Sequence, residues 1–402
     1  MMRWLLSASC LALAESEGQG GERPRRAVRE MSLLLLRGGD ASLPPAPVPL
    51  DVKRGSHPTR VTQLRWGILG TSNIASDWVK ALRDVEGAQV VAVAGRSPER
   101  VEAWGAEHGI PQRFSDYREL CASESVDIVY VGTITKLHRD HAMLALQHGK
   151  HVLIEKPIGV NAEEARELIN FARQKGLFLH EGMWTRFLPA VEKARELVAQ
   201  GAIGEPVAVL ADFGFNAVEF EGLDSPMFDP HLAGGGMLPV GCYVVQTAPM
   251  VFGDSPPLKI AAAGTTANGV DTSGGITLQY EGGKLAVLTY NLLAESPEVT
   301  DIMGTSGRIR LQSPAHCPET VTLVLSLDRG VSESSEFTFP IPEPKGFPAP
   351  KWHYPNQHGF VYQARAVHRC IGEGWLDCPQ YPHSEVVQVM TIMDAAKHQI
   401  ME

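Results

Sequence analysis

From Leu64 onward the apolar positions fall into short blocks of two alternating kinds. LRWGILG (64–70), AQVVAVAGR (88–96), VDIVYVGT (126–133) and KHVLIEKP (150–157) are apolar runs of strand length. Between and after them, TSNIASDWVKALRDV (71–85), SPERVEAWGAEHG (97–109), HRDHAMLALQHG (138–149) and AEEARELINFARQKG (162–176) carry apolar residues at helical spacing; a Ser-Pro opens the second, and glycines close the third and fourth. Strand and helix alternate with short connections, a pattern that predicts an α/β domain with a doubly wound parallel sheet. Ligands of such sheets bind at the carboxyl ends of the strands.

After about Trp184 the alternation stops. A helix is expected over PAVEKARELVAQG (189–201) and another from near Gly236, through VGCYVVQTAPMVF with Pro239 in its first turn. Strand-like runs follow PVAVLADFGF (206–215): LKIAAAGTT (258–266), GGITLQYEGG (274–283), KLAVLTYNLLAE (284–295), VTDIMGTSGRIRLQ (299–312), TVTLVLSL (320–327) and SEFTFPIP (335–342). YEGGKLAV reads as a hairpin with Gly-Gly in its turn. FVYQARAVHRCIGEG and SEVVQVMTIMDAAKHQI are closing helices. This half is expected to be an α+β domain with a large, mostly antiparallel open sheet. The resulting division is 63–183 for the doubly wound domain and 184–402 for the α+β domain.

Residues 1–62 differ in character. MMRWLLSASCLALAESEG resembles a secretory signal, GGERPRRAVREMSLLLLRGG is Arg-rich, and SLPPAPVPL is a Pro-rich linker. They read as a targeting leader or as an extension with no folded role. The expected location is cytoplasmic, or an organelle or the secretory pathway if the leader is real.

Composition narrows the function classes. With 36 Lys plus Arg against 46 Asp plus Glu in 402 residues, the net charge of -10 gives no attraction to nucleic acid or anionic membranes. No apolar run approaches the ~20 residues that span a bilayer. The 6 cysteines are scattered, without CxxC pairs or zinc spacing, so neither a disulfide framework nor a metal site is expected.

The candidate chemistry starts at GILGTSNIA (67–75), between the first strand and helix. A dinucleotide fold needs small residues there for a tight turn, for close approach of the pyrophosphate and for helix packing. Gly70, Ser72 and Ala75 hold those places, and Gly67, Gly70, Thr71, Ser72, Asn73 and Ile74 are the expected cofactor contacts. The second strand ends in Gly95, Arg96 and Ser97, where an enzyme that avoids the 2′-phosphate more often presents Asp or Glu. Arg96, with Ser97 and Arg100 nearby, therefore favours NADP.

Taken together, WGILGTSNIA, GKHVLIEKP, EGMWTRF, AGGGMLPVGCY and GTSGRIRL resemble the Gfo/Idh/MocA oxidoreductase family. Within it they look like the dimeric dihydrodiol dehydrogenases, also described as NADP-dependent D-xylose 1-dehydrogenases. The resemblance implies a Rossmann domain binding NADP and a second domain whose open sheet makes a homodimer. It places the catalytic lysine at Lys156, the active-site tyrosine at Tyr243, and pocket residues at Trp184, Arg186 and Phe213. Thr133, His138 and Glu155 fall at the nicotinamide end. One position departs from the family, which has Asp four residues before the tyrosine where this chain has Pro239.

Tyrosine has an unperturbed pKa of about 10 and is a poor base at neutral pH. A cation about 5 Å away contributes roughly two pKa units, so Lys156 is expected to bring Tyr243 to about 8 and to stabilise a developing alkoxide. The implied reaction is NADP-dependent hydride transfer from a cyclic polyol, either an aromatic trans-dihydrodiol or an aldopyranose. The alternative, motivated by Pro239, is a non-catalytic NADP-binding sensor or scaffold of the same fold.

Overall fold

The computed structural model describes residues 63–328, 330–345 and 350–402; the leader read from residues 1–62 lies outside them. The first sheet is built from β1 (Leu64–Leu69), β2 (Ala88–Ala94), β3 (Gln112–Phe114), β4 (Ile128–Val131), β5 (His151–Ile154) and β6 (Leu179–Glu181). Its order is β3-β2-β1-β4-β5-β6, with every neighbouring pair parallel. The helices between the strands are α1 (Asn73–Leu82), α2 (Pro98–His108), α3 (Tyr117–Ala122), α4 (His138–Gln147) and α5 (Ala162–Lys175). Local chemistry sets their ends. Ser97 caps α2 and Asn161 caps α5 by accepting backbone N–H bonds, and Gly109 and Gly176 terminate them in the left-handed conformation. The three-residue strands β3 and β6 and the six-residue α3 are additions to the sequence reading.

The second half contains α6 (Pro189–Ala199), β7 (Pro206–Gly214), α7 (Ala217–Glu221), a π-helical turn over Met237–Gly241, α8 (Cys242–Val245) and α9 (Thr247–Phe252). Then come β8 (Lys259–Ala267), β9 (Val270–Gln279), β10 (Leu285–Asn291), β11 (Thr300–Gly304), β12 (Gly307–Leu311), β13 (Thr320–Asp328), β14 (Val331–Thr338), α10 (Phe360–Gly372) and α11 (His383–Met401). The sheet runs β14-β13-β12-β11-β7-β10-β9-β8. Only β7 and β10 pair in parallel. The β9–β10 hairpin turns on Gly282 and Gly283 at φ 74° and 80°, as its sequence required. The single helix expected across Tyr243 is instead a π-turn followed by two short helices.

One face of this sheet is covered by α6 and α11. The other carries Leu210, Leu285 and Val287, each about 40% exposed, with Val287 the register partner of Leu210. The chain finally returns to the first domain. Phe360 at the start of α10 packs edge-on against Trp78 of α1, with ring centroids 5.4 Å apart. Asp77 of α1 accepts the His353 amide at 2.8 Å, and Asp84 just beyond α1 accepts the Lys345 amide at 2.8 Å. These two bonds tie Lys345 and His353 of the second half to α1 of the first domain.

Candidate active site

At the β1–α1 junction Gly70 has φ +99°, and a Cβ there would stand 2.8 Å from the carbonyl oxygen of Gly132. Only glycine fits. Ser72 caps α1, accepting from the Ala75 amide at 3.3 Å while its hydroxyl donates to Gly132 O at 2.8 Å, which ties the ends of β1 and β4 together. Thr71, Ser72 and Ile74 are half-buried and Asn73 is exposed, so the first turn of α1 presents free amides to an open cradle. Gly67 is different. It lies buried in mid-strand, where a Cβ would meet Leu120 Cδ2 at 2.7 Å; its smallness serves the packing of α3 rather than contact with a cofactor.

Arg96 projects exposed from the end of β2. Arg100 donates to the Thr71 carbonyl at 2.8 Å, and the Ser97 hydroxyl caps α2 and donates to Glu99 at 2.9 Å. Of these three, Arg96 is the one whose side chain is left to an incoming ligand, and the other two shape the loop around it. At the end of β4, Thr133 pairs with His141 at 2.9 Å.

β5 delivers Lys156 directly from the sheet, ahead of a cis Lys156–Pro157 peptide. Its ammonium donates to the Pro239 carbonyl at 2.8 Å and lies 4.6 Å from the centre of the Tyr243 ring. Burial opposes the charge, but Tyr243, Cys242 and Glu155 outweigh it, so the net shift is upward and the ammonium persists at neutral pH. Glu155 is buried. It accepts from the Tyr130 hydroxyl at 2.7 Å and the Lys156 amide at 3.2 Å, and burial raises its pKa. It braces the strand end from inside the protein.

For Tyr243 the structure reverses the expected sign. Burial pushes the phenol up to about 12, and the opposing charge of Lys156 does not cancel it. The expectation of about 8 counted the cation and left out desolvation. Trp184 donates its indole N–H to the Tyr243 oxygen at 3.1 Å. Since indole is a donor only, this bond leaves the phenolic proton free to be offered elsewhere.

Phe213 packs edge-on against Tyr243, ring centroids 5.4 Å apart. Two expected contacts fall elsewhere. Arg186 is fully buried, its guanidinium held by Gln246, the Gln380 carbonyl and Glu385, so it is a strut inside the second domain rather than a pocket wall. His138 is buried with its ring nitrogens 2.7 and 3.0 Å from the carbonyl oxygens of Pro157 and Thr133, and burial lowers its pKa to about 4. It clamps the Lys156–Pro157 turn and does not face the pocket.

Sequence reasoning missed His316 and Tyr354. His316 stacks on Phe213 at 4.4 Å with a 4° interplanar angle. Tyr354 lies where the charges of Glu221 and Lys156 act on its phenol. Both come from loops without periodic signal, and only the fold brings His316 beside Tyr243 and Tyr354 within the field of Lys156.

A parallel sheet with a glycine-gated cradle at its first βα turn, and a strand-end lysine over a tyrosine, define an oxidoreductase with an NAD(P)-binding domain. The chain belongs to the Gfo/Idh/MocA oxidoreductase family. Residues 64–183 match the family described as "Oxidoreductase family, NAD-binding Rossmann fold", and residues 191–310 match the "GFO/IDH/MocA C-terminal domain". The trans-1,2-dihydrobenzene-1,2-diol dehydrogenase of Danio rerio is 36% identical over 344 residues, 84% of this chain and 97% of the relative. That of Homo sapiens is 35% identical over 341 residues, again 84% of this chain and 97% of the relative. Among solved structures, levoglucosan dehydrogenase in complex with NADH and levoglucosan shares the fold at TM-score 0.74 and 18% identity, covering 84% of this chain and 97% of that one. KijD10, a 3-ketoreductase from Actinomadura kijaniata in complex with NADP and TDP-benzene, shares it at TM-score 0.70 and 22% identity, covering 84% and 98%. Among the described residues no helix is long and apolar enough to cross a membrane.

Proposed function

We propose that the protein is an NADP-dependent dehydrogenase that interconverts a ring CH–OH of a cyclic polyol, an aromatic trans-dihydrodiol or an aldopyranose, with the corresponding carbonyl. The observation that carries this reading is the Lys156 ammonium held 4.6 Å from the Tyr243 ring at the carboxyl edge of the parallel sheet. The names of the relatives, dihydrodiol and levoglucosan dehydrogenases and a 3-ketoreductase, agree with a ring substrate.

NADP supplies the hydride acceptor or donor when bound. Gly70, Thr71, Ser72, Asn73 and Ile74 would hold its pyrophosphate, and Arg96 its 2′-phosphate. Tyr243 exchanges the proton with the substrate oxygen, giving it in reduction and taking it in oxidation. Trp184 fixes the phenol so that its proton points away from the indole. Lys156 stabilises the negative charge that appears on either oxygen. Pro239 supplies a carbonyl to the ammonium where the family has a carboxylate, so the lysine keeps an anchor and the catalytic reading is favoured over a sensor.

The uncovered face around Leu210, Leu285 and Val287 supports association of two copies through the second sheet. For the activity, Lys156→Met is expected to bind NADPH normally in a fluorescence titration while turnover of a sugar and dihydrodiol panel falls by about 10²–10³ or more. Unchanged turnover would overturn the assignment.

A further inference from the structure

Lys156 and Tyr243 belong to different domains, and the proposed reaction needs them in register, because misplacing a reacting group by about 1 Å costs on the order of a hundredfold in rate. Buried aromatic side chains outside the pair frame it from both ends. On the tyrosine side, Trp184 donates to the phenol oxygen at 3.1 Å. Its indole also packs against Phe360 of α10, with centroids 4.9 Å apart and an interplanar angle of 62°. A Cβ on Gly359 would stand 3.1 Å from Trp184 Cζ3, so the lack of a side chain there lets the indole close on the start of α10.

Phe360 meets Trp78 of α1 edge-on at 5.4 Å, and Trp78 stacks on Tyr130 of β4 at 5.1 Å with an interplanar angle of 3°. The Tyr130 hydroxyl donates to Glu155 at 2.7 Å, and Glu155 accepts the backbone amide of Lys156 at 3.2 Å. The 4.6 Å contact between the Lys156 ammonium and the Tyr243 ring then closes the path on itself. Trp78, Tyr130, Phe360 and Trp184 are each at most 3% exposed. The path crosses between the domains twice, once at Phe360 and Trp78 and once at Tyr243 and Lys156.

We propose that Phe360, packed between Trp78 and Trp184, is a positioning residue that sets the placement of the Tyr243 phenol against Lys156. The inference rests on the dehydrogenase reading and deepens it. Close-packed rings leave little slack, so a change at the first crossing is passed through Trp184 to the second.

The test follows NADPH formation in a single turnover, and KM at steady state, with the best substrate of the sugar and dihydrodiol panel. Phe360→Leu removes the ring and keeps an apolar side chain. Gly359→Ala, at φ −55° where alanine is unstrained, pushes a methyl toward Trp184. Each is expected to lower the single-turnover rate at saturating substrate by about tenfold, with KM and NADPH affinity within about threefold. Leu323→Ala in β13, a core substitution outside the frame, is the control for lost stability. It should lower the melting temperature and keep the wild-type rate. In a Trp184→Phe background, where the frame is already open, Phe360→Leu should cost less than about twofold further. If Phe360→Leu does not fold, Gly359→Ala carries the comparison. A wild-type rate in the frame variants, a Phe360→Leu loss undiminished in the Trp184→Phe background, or an equal loss in Leu323→Ala overturns the role of Phe360 and leaves the dehydrogenase reading standing. A wild type that reduces NADP with no member of the panel overturns the dehydrogenase reading, and this inference with it.

Discussion

The Lys156 ammonium is anchored 2.8 Å from the backbone carbonyl of Pro239. In a regular α-helix that carbonyl would be taken by the amide of Tyr243. Here the turn over Met237–Gly241 is π-helical, with Gly241 N donating to Gly236 O at 2.9 Å, and the Pro239 carbonyl within it receives the lysine. The departure from the family motif therefore removes a negative charge while keeping a hydrogen-bond acceptor. The ammonium faces Tyr243 with no counter-charge from position 239.

That arrangement sets the pH dependence. With burial holding the Tyr243 phenol at about 12, its proton-donating form dominates at neutral pH and its proton-accepting form grows as pH rises. Log kcat/KM for oxidation is expected to climb with a slope near one from about pH 7 to 10, while carbonyl reduction stays flat. Tyr243→Phe should lower both directions by about 10²–10⁴. A plateau in oxidation below about pH 9 would mean that another group is the proton acceptor.

Cofactor choice is expected to rest on Arg96, whose side chain is exposed, rather than on Arg100, which is bound to Thr71 O at 2.8 Å. Arg96→Asp should weaken NADP by about tenfold to a hundredfold, the range of a lost charge-assisted contact, and leave NAD within a few-fold. Fluorescence titration with both reduced cofactors reads this directly. Equal losses for the two would place the 2′-phosphate elsewhere.

Glu181, in β6 behind the site, is buried, and burial raises its carboxyl from 4.5 to about 8. A raised folded-state pKa means the native protein holds this proton more tightly than the unfolded chain. The stability it contributes is full below about 4.5 and is lost as pH rises toward 8. At pH 7 the forfeited amount is on the order of 3 kcal/mol. Glu181→Gln, which does not titrate, should raise the melting temperature at pH 8 and lose most of that advantage at pH 5. A shift equal at both pH values would show that ionisation of Glu181 plays no part.

Val287 and Leu210 are neighbours across the β7–β10 pair on the uncovered sheet face. If two copies pair through this face, Val287→Arg places two like charges together, and light scattering is expected to show a dimer for the wild type and a monomer for the variant. A wild type and variant of the same mass would remove the second sheet as the interface.

Much of the fold was legible along the chain because its signals are local. Four buried runs, capped helices with terminal glycines and a Gly-Gly hairpin each specify themselves within a few residues. The three-residue β3 and β6 were not legible, since so short a segment completes no period and is defined only by the strand beside it. Lys156 could be singled out because a charge at the end of an apolar strand is a local anomaly.

What the sequence determined by itself was the order of elements, the strand that delivers the lysine, and a glycine cradle at the first turn. Tertiary structure decided what each polar group faces. Gly67 and Gly70 are the same residue type three positions apart, yet one makes room for Leu120 and the other for a backbone carbonyl. Arg186 meets Glu385, and His316 stacks on Phe213, across long stretches of chain. The ionisation of Tyr243 depends on both levels: the sequence supplies the nearby cation, but burial, which exists only after two domains close over the phenol, sets the sign. Electrostatic free energies follow the solvent removed around a charge, and that is a property of the folded surface rather than of the neighbouring residues in the chain.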